Sequence, residues 1–122
     1  MPNDKIDGKV AVLYEGQRYS IEQTSVFADW LNNLRDRAGR ARILARVRRL
    51  ADGNSGDAKS VGDGVFELRI FVGPGYRAYF TYRDNVVVLL LTGGDKDSQV
   101  KDIDKAKLLT DRIGDDTGNQ TI

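Results

Sequence analysis

The chain contains neither cysteine nor histidine. Without cysteine there is no disulfide framework and no thiolate metal site. Without histidine the commonest general base, the serine–histidine triad and the usual zinc ligands are all missing. No metal and no cofactor is expected, so any catalysis must draw on Lys, Arg, Tyr, Asp or Glu. Long apolar runs are missing too. The longest, Val86 to Leu91, has the length of a buried strand and falls far short of the ~20 residues of a membrane span. Residues 1–9 are polar and mix acidic with basic side chains, which is not the pattern of a signal peptide. A cytoplasmic protein without membrane contact is expected.

The 122 residues present suit one domain that folds without staples. The net charge of +1 conceals a strong asymmetry. Seven arginines and one acid, Asp36, fall between Arg35 and Arg49, whereas seven aspartates fall between Asp95 and Asp116. Such a basic segment either forms a solvated face, docks an acidic partner or contacts nucleic acid.

Periodicity orders the rest. Residues 1–16 read as an N-terminal extension with strand content at Val10–Tyr14. Tyr19 to Gln23 alternates like a short strand. Thr24 or Ser25 is placed to cap a helix whose apolar stripe is Phe27, Trp30, Leu31 and Leu34. Gly39 reads as a break before a second helix, Arg40 to Ala51, buried through Ile43, Leu44, Val47 and Leu50. The two should form an αα-hairpin. Residues 52–64 read as a coreless loop. Three strands follow at Val65–Val72, Tyr76–Tyr82 and Val86–Thr92, the last apolar enough to be central. Gly93-Gly94 should end the sheet, and Ser98 should cap a final helix carrying Val100, Ile103, Ala106, Leu109 and Ile113. Residues 114–122 read as a frayed polar tail, leaving 17–113 as the domain.

Alternation places Glu67, Arg69 and Phe71 on one face of the first of these three strands, with Arg77, Tyr79, Thr81 and Arg83 on the same side of the second. A tight turn over Gly73-Pro74-Gly75 pairs Val72 with Tyr76 and makes Arg69 and Arg77 diagonal neighbours. Two guanidinium groups this close repel unless an anion lies between them, and a phosphate suits both forks. Alternation alone equally allows solvated arginines on an open sheet face, with Glu67 paired to Arg69. Gly93-Gly94-Asp95-Lys96-Asp97-Ser98 leads into a helix and could present backbone N–H groups to an anion, but it matches no nucleotide-binding fingerprint.

The strings Glu67-Leu68-Arg69-Ile70, Gly73-Pro74-Gly75-Tyr76-Arg77-Ala78-Tyr79-Phe80, Gly93 to Gln99 and Asp102-Ile103-Asp104-Lys105-Ala106, in this order of elements, resemble the RelE/ParE toxin superfamily. Within it they are most similar to the HigB-like branch, whose members are labelled addiction-module killer or phage Gp49-like proteins. The resemblance covers roughly residues 18–113. It implies an α+β, RelE-like fold: an N-terminal strand and helical hairpin packed on a small antiparallel sheet with a C-terminal helix. It also implies a toxin of a type II toxin–antitoxin system, in the RelE and HigB case a metal-independent endoribonuclease that cuts mRNA on the ribosome. ParE-like poisoning of gyrase and a non-catalytic antitoxin- or nucleic-acid-binding module are the alternatives. The implied partners are ribosome, mRNA and a cognate antitoxin, expected to be a small helix-turn-helix protein through which the toxin could oligomerise. By the same resemblance, Arg69, Arg77 and Lys96 match basic positions around the scissile phosphate. In the cleavage mechanism so implied, Glu67 or Tyr79 could take the 2′-OH proton, although neither matches a base of the family, and Arg40, Arg42, Arg46, Arg48 and Arg49 would grip ribosomal RNA phosphates. Two departures stand out: Glu67 occupies a position that is lysine in RelE, and the helix after Ser98 carries no tyrosine.

Overall fold

The computed structural model describes the backbone of residues 10–121 and the side chains of residues 10–113. The start of the expected extension, residues 1–9, and the side chains of the expected tail lie outside the described residues. The chain forms an α+β sandwich of three layers around one six-stranded mixed sheet. In chain order the elements are β1 (Val10–Glu15), β2 (Ser20–Thr24), α1 (Ser25–Asn32), α2 (Arg37–Ala51), β3 (Ala58–Gly62), β4 (Val65–Ile70), β5 (Tyr76–Arg83), β6 (Val87–Gly94) and α3 (Gln99–Thr121). The strands lie in the order β1-β2-β6-β5-β4-β3. Only β2 and β6 run parallel; every other neighbouring pair is antiparallel.

The near-continuous apolar run of β6 is explained by helices on both sides. Val88 and Leu90 face a core built with Ile21, Phe27, Ile43, Val47, Leu50, Leu68 and Phe80 beneath α1 and α2. Leu89 and Leu91 face a second core with Val65, Tyr79, Ala106, Leu109 and Ile113 of α3. Each large apolar side chain taken fully out of water is worth about 1.5–3 kcal/mol. The stripes expected on α1 and α2 thereby face the sheet, with Trp30, Leu34 and Leu44 partly buried, and the two helices pack on the sheet rather than chiefly on one another; Val100, expected in the stripe of the last helix, is exposed.

Local chemistry fixes the boundaries. Thr24 caps α1: its Oγ1 accepts from the Phe27 N–H at 3.0 Å and donates to the Leu91 carbonyl at 2.7 Å, tying the helix start to the sheet. The break between α1 and α2 lies at residues 33–36, not at Gly39. Asp36 is the N-cap of α2, accepting from the Gly39 N–H at 2.9 Å, so Gly39 falls in the first turn. Glycine is needed there for space, because a Cβ would run into the Tyr76 ring and the Asp36 carboxylate. Likewise Gly93 and Gly94 do not end the sheet but complete β6 opposite Ala78 and Arg77. The Trp30 ring fills the space beside Gly93, and Asp102 with Ser98 fills that beside Gly94.

The segment expected to be a coreless loop contains β3, hairpinned onto β4 through Asp63-Gly64, both at positive φ. Asp-Gly between extended runs is a strong hairpin signal, and it holds here even in so polar a segment. The other edge of the sheet is β1, which pairs antiparallel with β2.

Candidate functional site

The register of the β4–β5 hairpin differs from the tight turn expected. Ile70 pairs with Tyr76, so the connection is the five-residue loop Phe71–Gly75. Gly73 (φ 57°) and Gly75 (φ 80°) supply the left-handed conformations the loop requires. The loop is anchored from α2: the Tyr76 hydroxyl donates to Asp36 Oδ2 at 2.8 Å, and Gly73 lies against the same carboxylate and ring. These bonds hold Asp36 below its ordinary carboxyl value, through the Gly39 N–H first and Tyr76 second. Burial and then Asp36 push the Tyr76 phenol up.

The slip is by two residues, so the faces survive while the partners change. Arg69 and Arg77 are directly opposite rather than diagonal, and Glu67 is opposite Tyr79. Directly paired residues have Cβ atoms only ~4.5–5.5 Å apart, which is repulsive for two cations. Each arginine instead has its own carboxylate. Arg69 Nη2 bonds Asp57 Oδ1 at 3.1 Å. Arg77 Nε lies 3.3 Å from Glu67 Oε2, at ion-pair distance but outside hydrogen-bond alignment. Arg77 Nη1 donates to the Gly75 carbonyl at 3.0 Å. The alternative pairing of Glu67 with Arg69 is therefore replaced, and each arginine is offset by a separate carboxylate from within the chain.

Nor is this sheet face open where Glu67 and Tyr79 stand, because α3 covers it. Both residues are completely buried. Glu67 Oε2 accepts from the Tyr79 hydroxyl at 3.0 Å and from Gln99 Nε2, at the start of α3, at 2.8 Å. Burial first, and the Glu67 charge second, push the Tyr79 phenol far above its ordinary value, so it remains a neutral donor. The two residues expected to provide a proton acceptor thus form a buried, mutually bonded group behind Arg77, out of reach of a solvent-borne phosphodiester. Arg77 itself keeps about a tenth of its side chain exposed (11 %), and Arg69 about a third (32 %).

Lys96 comes near the same place. Gly75 is flanked by the Arg77 guanidinium and the Lys96 Cβ, and Lys96 is exposed. Its loop, however, does not offer free backbone N–H groups. Asp95 Oδ1 accepts from the N–H groups of Asp97 and Ser98, at 3.0 and 3.2 Å. Lys96, rather than the helix start, is what this loop presents to an anion.

The arginines of α2 divide by task. Arg46 Nη1 donates to the Arg69 carbonyl at 2.8 Å and Nη2 to the Ser55 carbonyl at 3.1 Å, clamping α2 to β4, and burial lowers its guanidinium from the ordinary value. Arg40 Nη2 bonds the Leu34 carbonyl at 2.8 Å. Arg42, Arg48 and Arg49 are exposed, with Arg48 over the Tyr14 ring. Sequence reasoning missed Asp57 and Gln99, whose roles depend on contacts across the fold. It also missed the exposure of Phe71, which the alternation pattern put on a strand.

The family described as Phage derived protein Gp49-like (DUF891) matches residues 29–112, and thus spans all the residues of this site. An uncharacterized protein of Haemophilus influenzae is 51% identical over 94 residues, covering 77% of this chain and 95% of the relative. No solved structure matches the chain. The basic hairpin and the loop carrying Lys96 fall inside the matched segment, and the chain belongs to the phage-derived Gp49-like family, a family of RelE-like toxin type.

Proposed function

We propose that this protein is the toxin of a type II toxin–antitoxin pair, of the HigB-like branch, and that it cleaves mRNA on the ribosome. The observation that carries this reading is the direct cross-strand pairing of Arg69 and Arg77, with Lys96 across Gly75. The reaction needs no metal. The RNA 2′-oxygen attacks the adjacent phosphorus, the P–O5′ bond breaks, and a 2′,3′-cyclic phosphate and a 5′-hydroxyl result. Negative charge accumulates on the non-bridging oxygens, where fixed guanidinium groups stabilise it. Arg69 and Arg77 take that role, each exchanging part of its carboxylate contact for the phosphate. Lys96 protonates or stabilises the departing 5′-oxygen. Glu67, Tyr79 and Gln99 act as positioning residues that aim Arg77. With Glu67 and Tyr79 buried, proton removal falls to solvent or ribosomal groups, and the ribosome supplies substrate alignment, a large part of the rate.

The same burial favours a second reading, in which the fold poisons gyrase or binds its partner without catalysis. Induced expression separates the two. On the first reading, translation stops and messages are cut within codons, and Arg77→Ala restores growth while the protein still melts cooperatively. Full toxicity of Arg77→Ala, or a DNA-damage response with intact messages, would sink the cleavage reading.

A further inference from the structure

Phe71 is the most conspicuous side chain that this mechanism leaves unused. It is 75% exposed, at the start of a loop held by Val72 N–H to Ile70 O at 2.9 Å, Gly75 N–H to Val72 O at 3.1 Å and the Tyr76–Asp36 bond. A large aromatic ring on a pinned backbone loses little freedom on binding. The Arg69 guanidinium lies 5.7 Å from its centroid. The ring also lines a groove of about 240 Å³ together with Arg42, Arg46, Arg49, Ile70 and Val72. Neither Arg42 nor Arg49 makes a salt bridge among the described residues, and Arg46 is spent on carbonyl groups.

We infer that the Phe71 groove is a subsite for one nucleobase of single-stranded RNA, stacked on the Phe71 ring, with the flanking phosphates on Arg42 and Arg49. The inference rests on the nucleic-acid reading above and deepens it. Aromatic faces accept any base, and guanidinium groups around them track the backbone. Phe71 follows Arg69 by two residues, so the subsite adjoins the proposed phosphate site. One strand with its scissile phosphate at Arg69 and Arg77 would place a neighbouring base on Phe71. An acidic peptide would use the arginines too, but only RNA couples a planar base to a phosphate in every repeat, which is the pairing that a ring beside guanidinium groups fits.

The test is the anisotropy of a fluorescein-labelled oligoadenylate titrated with full-length protein carrying Arg77→Ala, so that the probe is not consumed. Adding Phe71→Ala weakens binding about tenfold. Phe71→Tyr restores affinity and Phe71→Leu does not, which separates stacking from apolar bulk. An abasic ribose-phosphate strand of equal length binds equally with or without Phe71→Ala. Arg42→Ala lowers the slope of log affinity against log salt by ~0.7, whereas Phe71→Ala leaves it unchanged. Unaltered RNA affinity in Phe71→Ala, full rescue by leucine, or loss of affinity only for an acidic protein partner would each overturn the subsite. Toxicity of Arg77→Ala judges the cleavage reading separately, since oligonucleotide affinity does not depend on cleavage.

Discussion

Replacing Glu67 with glutamine removes one charge and almost no volume, and the surroundings of Glu67 allow its cost to be worked out. Its Oε2 accepts from Tyr79 and Gln99 and faces Arg77, while Oε1 is buried with no partner. Hydrogen bonds to a charged group are worth about 1.5–3 kcal/mol and neutral ones about 0.5–1.5, so each of the two bonds loses roughly 1 kcal/mol. The new amide nitrogen takes the place of the unpartnered Oε1, and a buried donor left unsatisfied costs about 1–3 kcal/mol. The result is about 3–5 kcal/mol, the range typical of breaking a buried ion pair. With ~2.1 cal/mol/K per residue of unfolding entropy, even the lower figure lowers the Tm by roughly 12 °C. Thermal and urea melts followed by circular dichroism measure this. Tyr79→Phe removes one donor to the same oxygen, and the double variant should cost less than the two single variants together, by about 0.5–3 kcal/mol. A fall in Tm below about 3 °C for Glu67→Gln, or strict additivity in the cycle, would refute the claim that this group holds α3 to the hairpin and aims Arg77.

Two further outcomes test the scaffold. Asp36 titrates below the ordinary carboxyl value in the folded chain, so the stability it contributes is complete above that ordinary value and is lost as pH falls through the folded value. Asparagine still caps a helix but carries no charge, so the stability advantage of the wild type over Asp36→Asn should shrink to nothing in urea melts taken downward from pH ~5. A constant difference across that range would refute the assignment. Gly93→Ala drives a methyl group into the Trp30 ring and should destabilise by about 1–3 kcal/mol, read as a lowered urea midpoint with an altered Trp fluorescence maximum. An unchanged midpoint would show that Trp30 is not seated on this strand.

The hydrophobic period was enough to place α1 by its stripe from Phe27 to Leu31, β6 by its unbroken apolar run, and the side of the hairpin on which Glu67, Arg69, Arg77 and Tyr79 stand. Each depends on a residue and its near neighbours, and side-chain alternation is unchanged when a hairpin slips by two. The chemical exclusions from missing cysteine and histidine are likewise properties of the chain alone. The five-residue loop, by contrast, was decided by Asp36, a residue 40 positions from its partner Tyr76, which anchors the hairpin end from another element. The same holds for the extension of β6 through two glycines, whose missing side chains make room for Trp30 and Asp102. Whether Glu67 and Tyr79 meet solvent depended on where α3 settled, and whether the two arginines needed an outside anion depended on Asp57 reaching Arg69. Local pattern assigns a side chain to a face of a strand. Only the packing of distant elements decides what covers that face, and with it whether a charged group there is buried framework or a surface open to a ligand.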